Sequence, residues 1–192
     1  MTNILSIIKN ENNINKTSLF SYLINITEEE LFKKYWLNNN ILHLLSIYNP
    51  ENIPDVIYSP FLQKESEFYK IFISKNIFGY TWFHVLCQYN ANYYDIIKEF
   101  LNYEILAQTD IVGNTCLHIL ARFNPLFIKK ILENNLIDKY ILFKKDVLGN
   151  TFLHILNYYH PLTFSDISYK FDKELIEIKN YYGKECYKNL IN

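Results

Sequence analysis

Five histidines and three cysteines are the residues of this chain best suited to catalysis or metal binding. His84 and Cys87 stand three apart, and Cys116 and His118 two apart. A neutral imidazole beside a thiol is the minimal unit of a cysteine hydrolase, with the histidine taking the thiol proton. Three residues apart on a helix, His84 and Cys87 would meet. Neither pair has a Gly-rich oxyanion turn or an orienting acid beside it, so the Cys/His-dependent hydrolase is carried as the alternative reading. A zinc site would need several donors about 2.0–2.3 Å from one ion. The histidines instead recur singly, at 84, 118 and 154, in steps of 34 and 36 residues. Side chains one helix spacing apart, about 8–10 Å, do not share an ion.

That recurrence belongs to a longer repeat. Asp110-Ile111-Val112-Gly113-Asn114-Thr115-Cys116-Leu117-His118-Ile119-Leu120 returns as Asp146-Val147-Leu148-Gly149-Asn150-Thr151-Phe152-Leu153-His154-Ile155-Leu156. A looser copy runs from Asn76 through Gly79, Thr81 and His84 to Leu86. The chain's four glycines, Gly79, Gly113, Gly149 and Gly183, all fall at one phase. A residue used so sparingly at one place meets a backbone need: a tight turn with positive φ. The Thr two residues on suits an N-cap, and the His three beyond it stands where a capping box carries Glu or Gln. The imidazole can then reach back to the turn and tie it to the helix.

The Gly, then Thr-x-Leu-His opening a helix, resembles the ankyrin repeat. The resemblance is closest at Thr115–His118 and Thr151–His154 and good at Thr81-Trp82-Phe83-His84, although the usual Pro after Thr is replaced in all three. It implies an all-α, ankyrin-type solenoid of helix-turn-helix units with short turn tips, about four repeats plus end caps. The units are expected at 38–75, 76–109, 110–145 and 146–179, after a helical cap over 1–37 and before a degenerate closing cap over 180–192.

In order, Thr27-Glu28-Glu29-Glu30 is a capping box that predicts a helix to about Trp36, and 15–23 reads as another. Asn40-Ile41-Leu42-His43 opens a first repeat that lacks the Gly. Pro50, Pro54 and Pro60 predict a loop there, followed by a helix near 64–74. First helices break at Asn49, Asn90, Asn124 and His160, three of them before Pro, which fits the first turn of a new helix. Second helices are expected at about 93–103 and 126–134, and from about Asp172 after a looser start.

Composition bounds the function. Hydrophobic residues at 49% fit a folded chain. Nineteen basic against twenty acidic residues, net −1, leave no basic footprint for nucleic acid or an anionic membrane. An odd cysteine count without C-x-x-C points to free thiols in a reducing compartment. The N-terminus makes a poor signal peptide, and no 18-residue apolar run suggests a membrane span.

Two candidate binding features follow the repeat. Apolar pairs precede each Gly: Ile77-Phe78, Ile111-Val112, Val147-Leu148 and Tyr181-Tyr182. By the resemblance these are turn-tip residues, usually polar, and if exposed they mark an interface. Aromatics precede each helix break: Tyr48, Tyr89, Phe123 and Tyr159. They either form a ladder on the exposed face of the first helices or wedge into the core.

The functional expectation is a non-enzymatic protein–protein interaction module of ankyrin type. It would be monomeric and without cofactor or metal, and would use turn tips and the concave first-helix face. The partner would be another protein, in the cytoplasm or, for a host-directed protein, the host cytoplasm or nucleus. The Asn-, Ile-, Lys- and Tyr-rich usage, fitting an AT-rich genome, suggests a viral or bacterial host-interaction protein.

Overall fold

A computed structural model describes residue 23 and residues 26–58, 70–133 and 137–187. The expected helices over 15–23 and 64–74 therefore lie largely outside the described residues. Among those described, the fold is all-α: helices joined by turns, with one isolated bridge between Lys179 and Glu185. None of these helices is long and apolar enough to cross a membrane. The chain falls into two compact units, residues 1–100 and 101–192.

In unit 1, α1 (Glu28–Phe32) is capped by the Thr27 hydroxyl, which accepts from the Glu30 N–H. It stops short of the expected Trp36, because Lys33 takes an extended ψ and the chain then makes a tight 3-10 turn over Trp36–Asn38. α2 (Ile41–Tyr48) follows, then a Pro50–Asn52 turn leading into α3 (Ile53–Ile57). A loop was expected there. Pro54 instead sits in the first turn of α3, where its missing N–H costs nothing. Residues 70–73 are helical, and α4 (Trp82–Tyr89) and α5 (Tyr94–Ile97) complete the unit. α2 packs on α4, and the buried Phe72 ring meets Trp82 edge-on at 5.5 Å.

Unit 2 holds α6 (Tyr103–Leu106), α7 (Cys116–Phe123), α8 (Ile128–Leu132), α9 (Lys139–Leu142), α10 (Phe152–Tyr159), α11 (Pro161–Ser168) and α12 (Lys173–Ile176). α7 packs on α10, and α10 on α11. Where a looser start was expected, α11 is a full helix with Pro161 in its first turn, its stripe Phe164 and Ile167 buried. The second helices α5 and α8 are shorter than their apolar patterns suggested. The second helices after Asn49, Asn90 and Asn124 each begin as a 3-10 turn, as at Pro125–Phe127, and α5 tightens again into 3-10 over Lys98–Phe100.

Candidate functional site

Each first helix starts from the same device. At Thr115 the hydroxyl accepts from the His118 N–H, while the His118 ring Nδ1 accepts from the Thr115 N–H at 3.2 Å. Thr151–His154, Thr81–His84 and Asn40–His43 repeat this reciprocal capping box. With Nδ1 an acceptor, Nε2 carries the proton, and it donates to the carbonyl of the following turn. The contacts are His43 to Tyr80 at 2.8 Å, His118 to Asn150 at 3.0 Å and His154 to Lys184 at 3.0 Å. One imidazole thus closes its own helix and fastens the next turn. Burial holds these rings neutral: His43 is pushed down to about 4, and His118 and His154 are also lowered.

The turns hold themselves by a residue that sequence reasoning passed over. Asp110 Oδ1 accepts from the Val112 and Asn114 N–H groups at 2.9 and 2.8 Å, and Asp146 does the same for Leu148 and Asn150. Asn76 and Asn180 serve the other two turns. The signal was present, since Asp or Asn stands three before every Gly and such side chains nucleate turns. The glycines adopt φ between +74° and +84°. A β-carbon on Gly149 would lie 2.7 Å from the Tyr181 backbone nitrogen. At the first turn, which lacks Gly, Leu37 and Asn38 take φ of 60° and 62°. Neighbouring tips are tied by backbone bonds, Ile77 N–H to Leu37 O, Val147 N–H to Val112 O and Tyr181 N–H to Leu148 O.

All eight tip residues are exposed: Ile77, Phe78, Ile111, Val112, Val147, Leu148, Tyr181 and Tyr182. Tyr48, Tyr89, Phe123 and Tyr159 are also exposed, at 44, 57, 42 and 44%, so they are not wedged into the core. Within each unit the two sets meet. In unit 1 a cavity of about 270 Å³ runs between Leu37 and Phe78 at the tips and Ile47, Gln88 and Tyr89 at the helix ends. In unit 2 a cavity of about 350 Å³ is lined by Leu148 and Tyr182 from the tips and Ile155, Tyr158 and Tyr159 from α10. Its floor brings in His154, Asn180, Lys184 and Glu185.

The cysteines take another course. Cys87, Cys116 and Cys186 are buried, and none of the three forms a disulfide. Burial pushes the Cys116 and Cys186 thiols up to about 12, far from the thiolate that nucleophilic chemistry uses. Cys116 Sγ donates to the Leu106 carbonyl. Among the described residues no group of three His, Cys, Asp or Glu side chains is placed to hold a metal.

No protein-family model matches the chain, and no curated protein does. Among solved structures it is similar to a chain in the complex of a predatory endopeptidase from Bdellovibrio bacteriovorus with an immunity protein. The identity is 20% and the TM-score 0.59, covering 89% of this chain and 82% of that one. At this identity the likeness is one of fold. It overturns the expectation of an ankyrin-type module aimed at a host protein, because the fold occurs in a peptidase–immunity assembly. The physical reason for the error is plain: the Gly, Thr and His of the repeat encode turns and caps, and a backbone so encoded does not specify a task.

Proposed function

We propose that this chain is an immunity-type protein, a non-catalytic partner that binds a peptidase, with both units built on the ankyrin-type repeat. The observation that carries the reading is the commitment of the catalytic-type side chains to the frame. His43, His118 and His154 each engage both ring nitrogens, one on their own helix cap and one on the next turn. The thiols of Cys116 and Cys186 are buried and held protonated. A peptidase needs a nucleophile and a base open to substrate, whereas a binding partner needs a surface. The grooves edged by exposed tips and aromatic helix ends supply one, in the residue types favoured at protein interfaces.

The test is affinity capture on the immobilised chain from cells of its own source. Bound protein is released in mild denaturant, refolded and assayed on labelled casein and on cell-wall peptide. Released endopeptidase activity that added free chain suppresses is the expected result. An eluate without peptidase activity overturns the reading. Hydrolysis by the purified chain itself, abolished by Cys116→Ala, turns it toward the peptidase.

A further inference from the structure

Arg122 is the one arginine in the sequence, against eighteen lysines. It sits on the exposed last turn of α7. Its guanidinium carbon lies 5.1 Å from the ring centre of Phe123 on its own helix and 5.3 Å from that of Tyr159 on α10. Tyr159 is itself braced edge-on by Tyr158 at 4.9 Å. His160 Nε2 donates to the Arg122 carbonyl at 3.1 Å and fixes the backbone beneath. None of the ion pairs among the described residues involves Arg122. Rings on a guanidinium face hold the group still while leaving its edge, the N–H fork, to meet a planar acceptor. An arginine already immobilised loses less freedom when it binds. Tyr159 also lines the unit 2 groove, so the guanidinium stands beside a groove-lining ring, and Lys184 and Glu185 are the charged members of that lining.

We propose that Arg122, set by Phe123 and Tyr159, receives a side-chain carboxylate from an acidic segment of the peptidase that lies in the unit 2 groove. This rests on the immunity-type reading for the identity of the partner. The chemistry rests on the fork itself: a carboxylate matches it in two parallel hydrogen bonds, which a lysine ammonium does not reproduce.

Two experiments separate the partner from the chemistry. In the first, wild type, Arg122→Lys, Arg122→Ala and Lys129→Ala are immobilised and peptidase capture is titrated. Lys129 is an exposed cation on α8 that lines neither groove. Capture is expected to weaken about tenfold or more in both Arg122 variants, with a flatter salt dependence in Arg122→Ala, and to hold in Lys129→Ala. Melting temperatures within about two degrees of wild type show that the exposed variants still fold. Equal capture by all four overturns the proposal, whereas no peptidase retained by wild type overturns the functional reading instead.

The second experiment needs no partner. A single arginine gives a single side-chain Nε–H signal in a nitrogen–proton correlation spectrum. An acetylated tetraglutamate amide is titrated in at constant ionic strength against sodium chloride. A saturable shift of that signal, absent with chloride alone, is expected. No shift, or an equal shift with chloride, overturns the carboxylate receptor. A larger response to a thymidine oligonucleotide than to the peptide overturns the acidic-peptide assignment in favour of nucleic acid.

Discussion

Among the described residues, the lining of the unit 1 groove, from Phe78 to Tyr89, has no carboxylate, ammonium or imidazole; Asn39, Asn76 and Gln88 are its amide members. That of unit 2 runs from Leu148 and Tyr182 to Tyr159 and includes His154, Lys184 and Glu185. The helix ends differ in the same sense. Ile47 and Gln88 of unit 1 are half-buried, whereas Arg122 and Tyr158, at the same positions in unit 2, are exposed. The bracing differs too. Asn90 Nδ2 donates to both the Ser46 and Ile47 carbonyls, while His160 gives one bond to Arg122. The caps are shared because they build the helix; the rims vary because solvent tolerates almost any side chain there. Specificity is therefore expected where the units diverge, and stability where they agree.

The largest expected effect tests the agreement. His43, His118 and His154 have lowered values when folded and the ordinary value of about 6.5 when unfolded, so the unfolded chain binds more protons as pH falls below that value. Stability is full above pH 6.5 and declines toward pH 4, the value His43 reaches. The slope is about 1.4 kcal/mol per pH unit for each histidine that titrates fully. Urea midpoints from pH 7.5 to 4.5 check this. Both tryptophans lie in unit 1, so their fluorescence reports that unit while circular dichroism reports the whole chain. A flat profile would break the claim that neutral imidazoles hold the caps.

Next in size is a pair of turn glycines. Gly149→Ala places a methyl against the Tyr181 backbone and side chain at a φ of +77°, and a loss of about 2–3 kcal/mol is expected. Gly183→Ala meets nothing within 4 Å, and only the backbone cost of about 1 kcal/mol remains. Equal losses in thermal melts would show that the close approach at Gly149 has no energetic weight.

Thr115→Ala in unit 2 and Thr81→Ala in unit 1 should each cost about 1 kcal/mol, since both are buried N-caps of the same geometry. A marked difference between them would break the equivalence of the two frames. The smallest expected effect is at the rims. Tyr89→Ala with Tyr159→Ala should change stability by less than about 0.5 kcal/mol for each substitution. A larger loss would mean that these rings pack on the frame rather than on a partner.

Much of the frame was legible because its signals are local. A cap, a turn glycine and the imidazole three residues past a threonine act within one turn of chain, and periodicity repeats them. Helix lengths were less legible. α3 begins with Ile53-Pro54, where Pro54 read as loop, and α11 with Pro161-Leu162-Thr163, which read as a looser start. Proline permits a first turn as readily as it ends one, and only the packing of Val56 or Phe164 into a buried stripe decides between them. The turn-tip pairs and the helix-end aromatics were both identified in sequence, but as separate features.

By itself, the sequence determined where each first helix starts, that the turn glycines need positive φ, and that His43, His84, His118 and His154 stand in capping positions, since these depend on neighbours within four residues. Tertiary structure decided that Phe78 meets the groove that Tyr89 closes, that Leu148 and Tyr182 share one with Tyr159, and that Arg122 stacks on a ring 37 residues away. Such contacts depend on how helices dock. Docking follows from the sum of many small packing energies, which no short motif encodes.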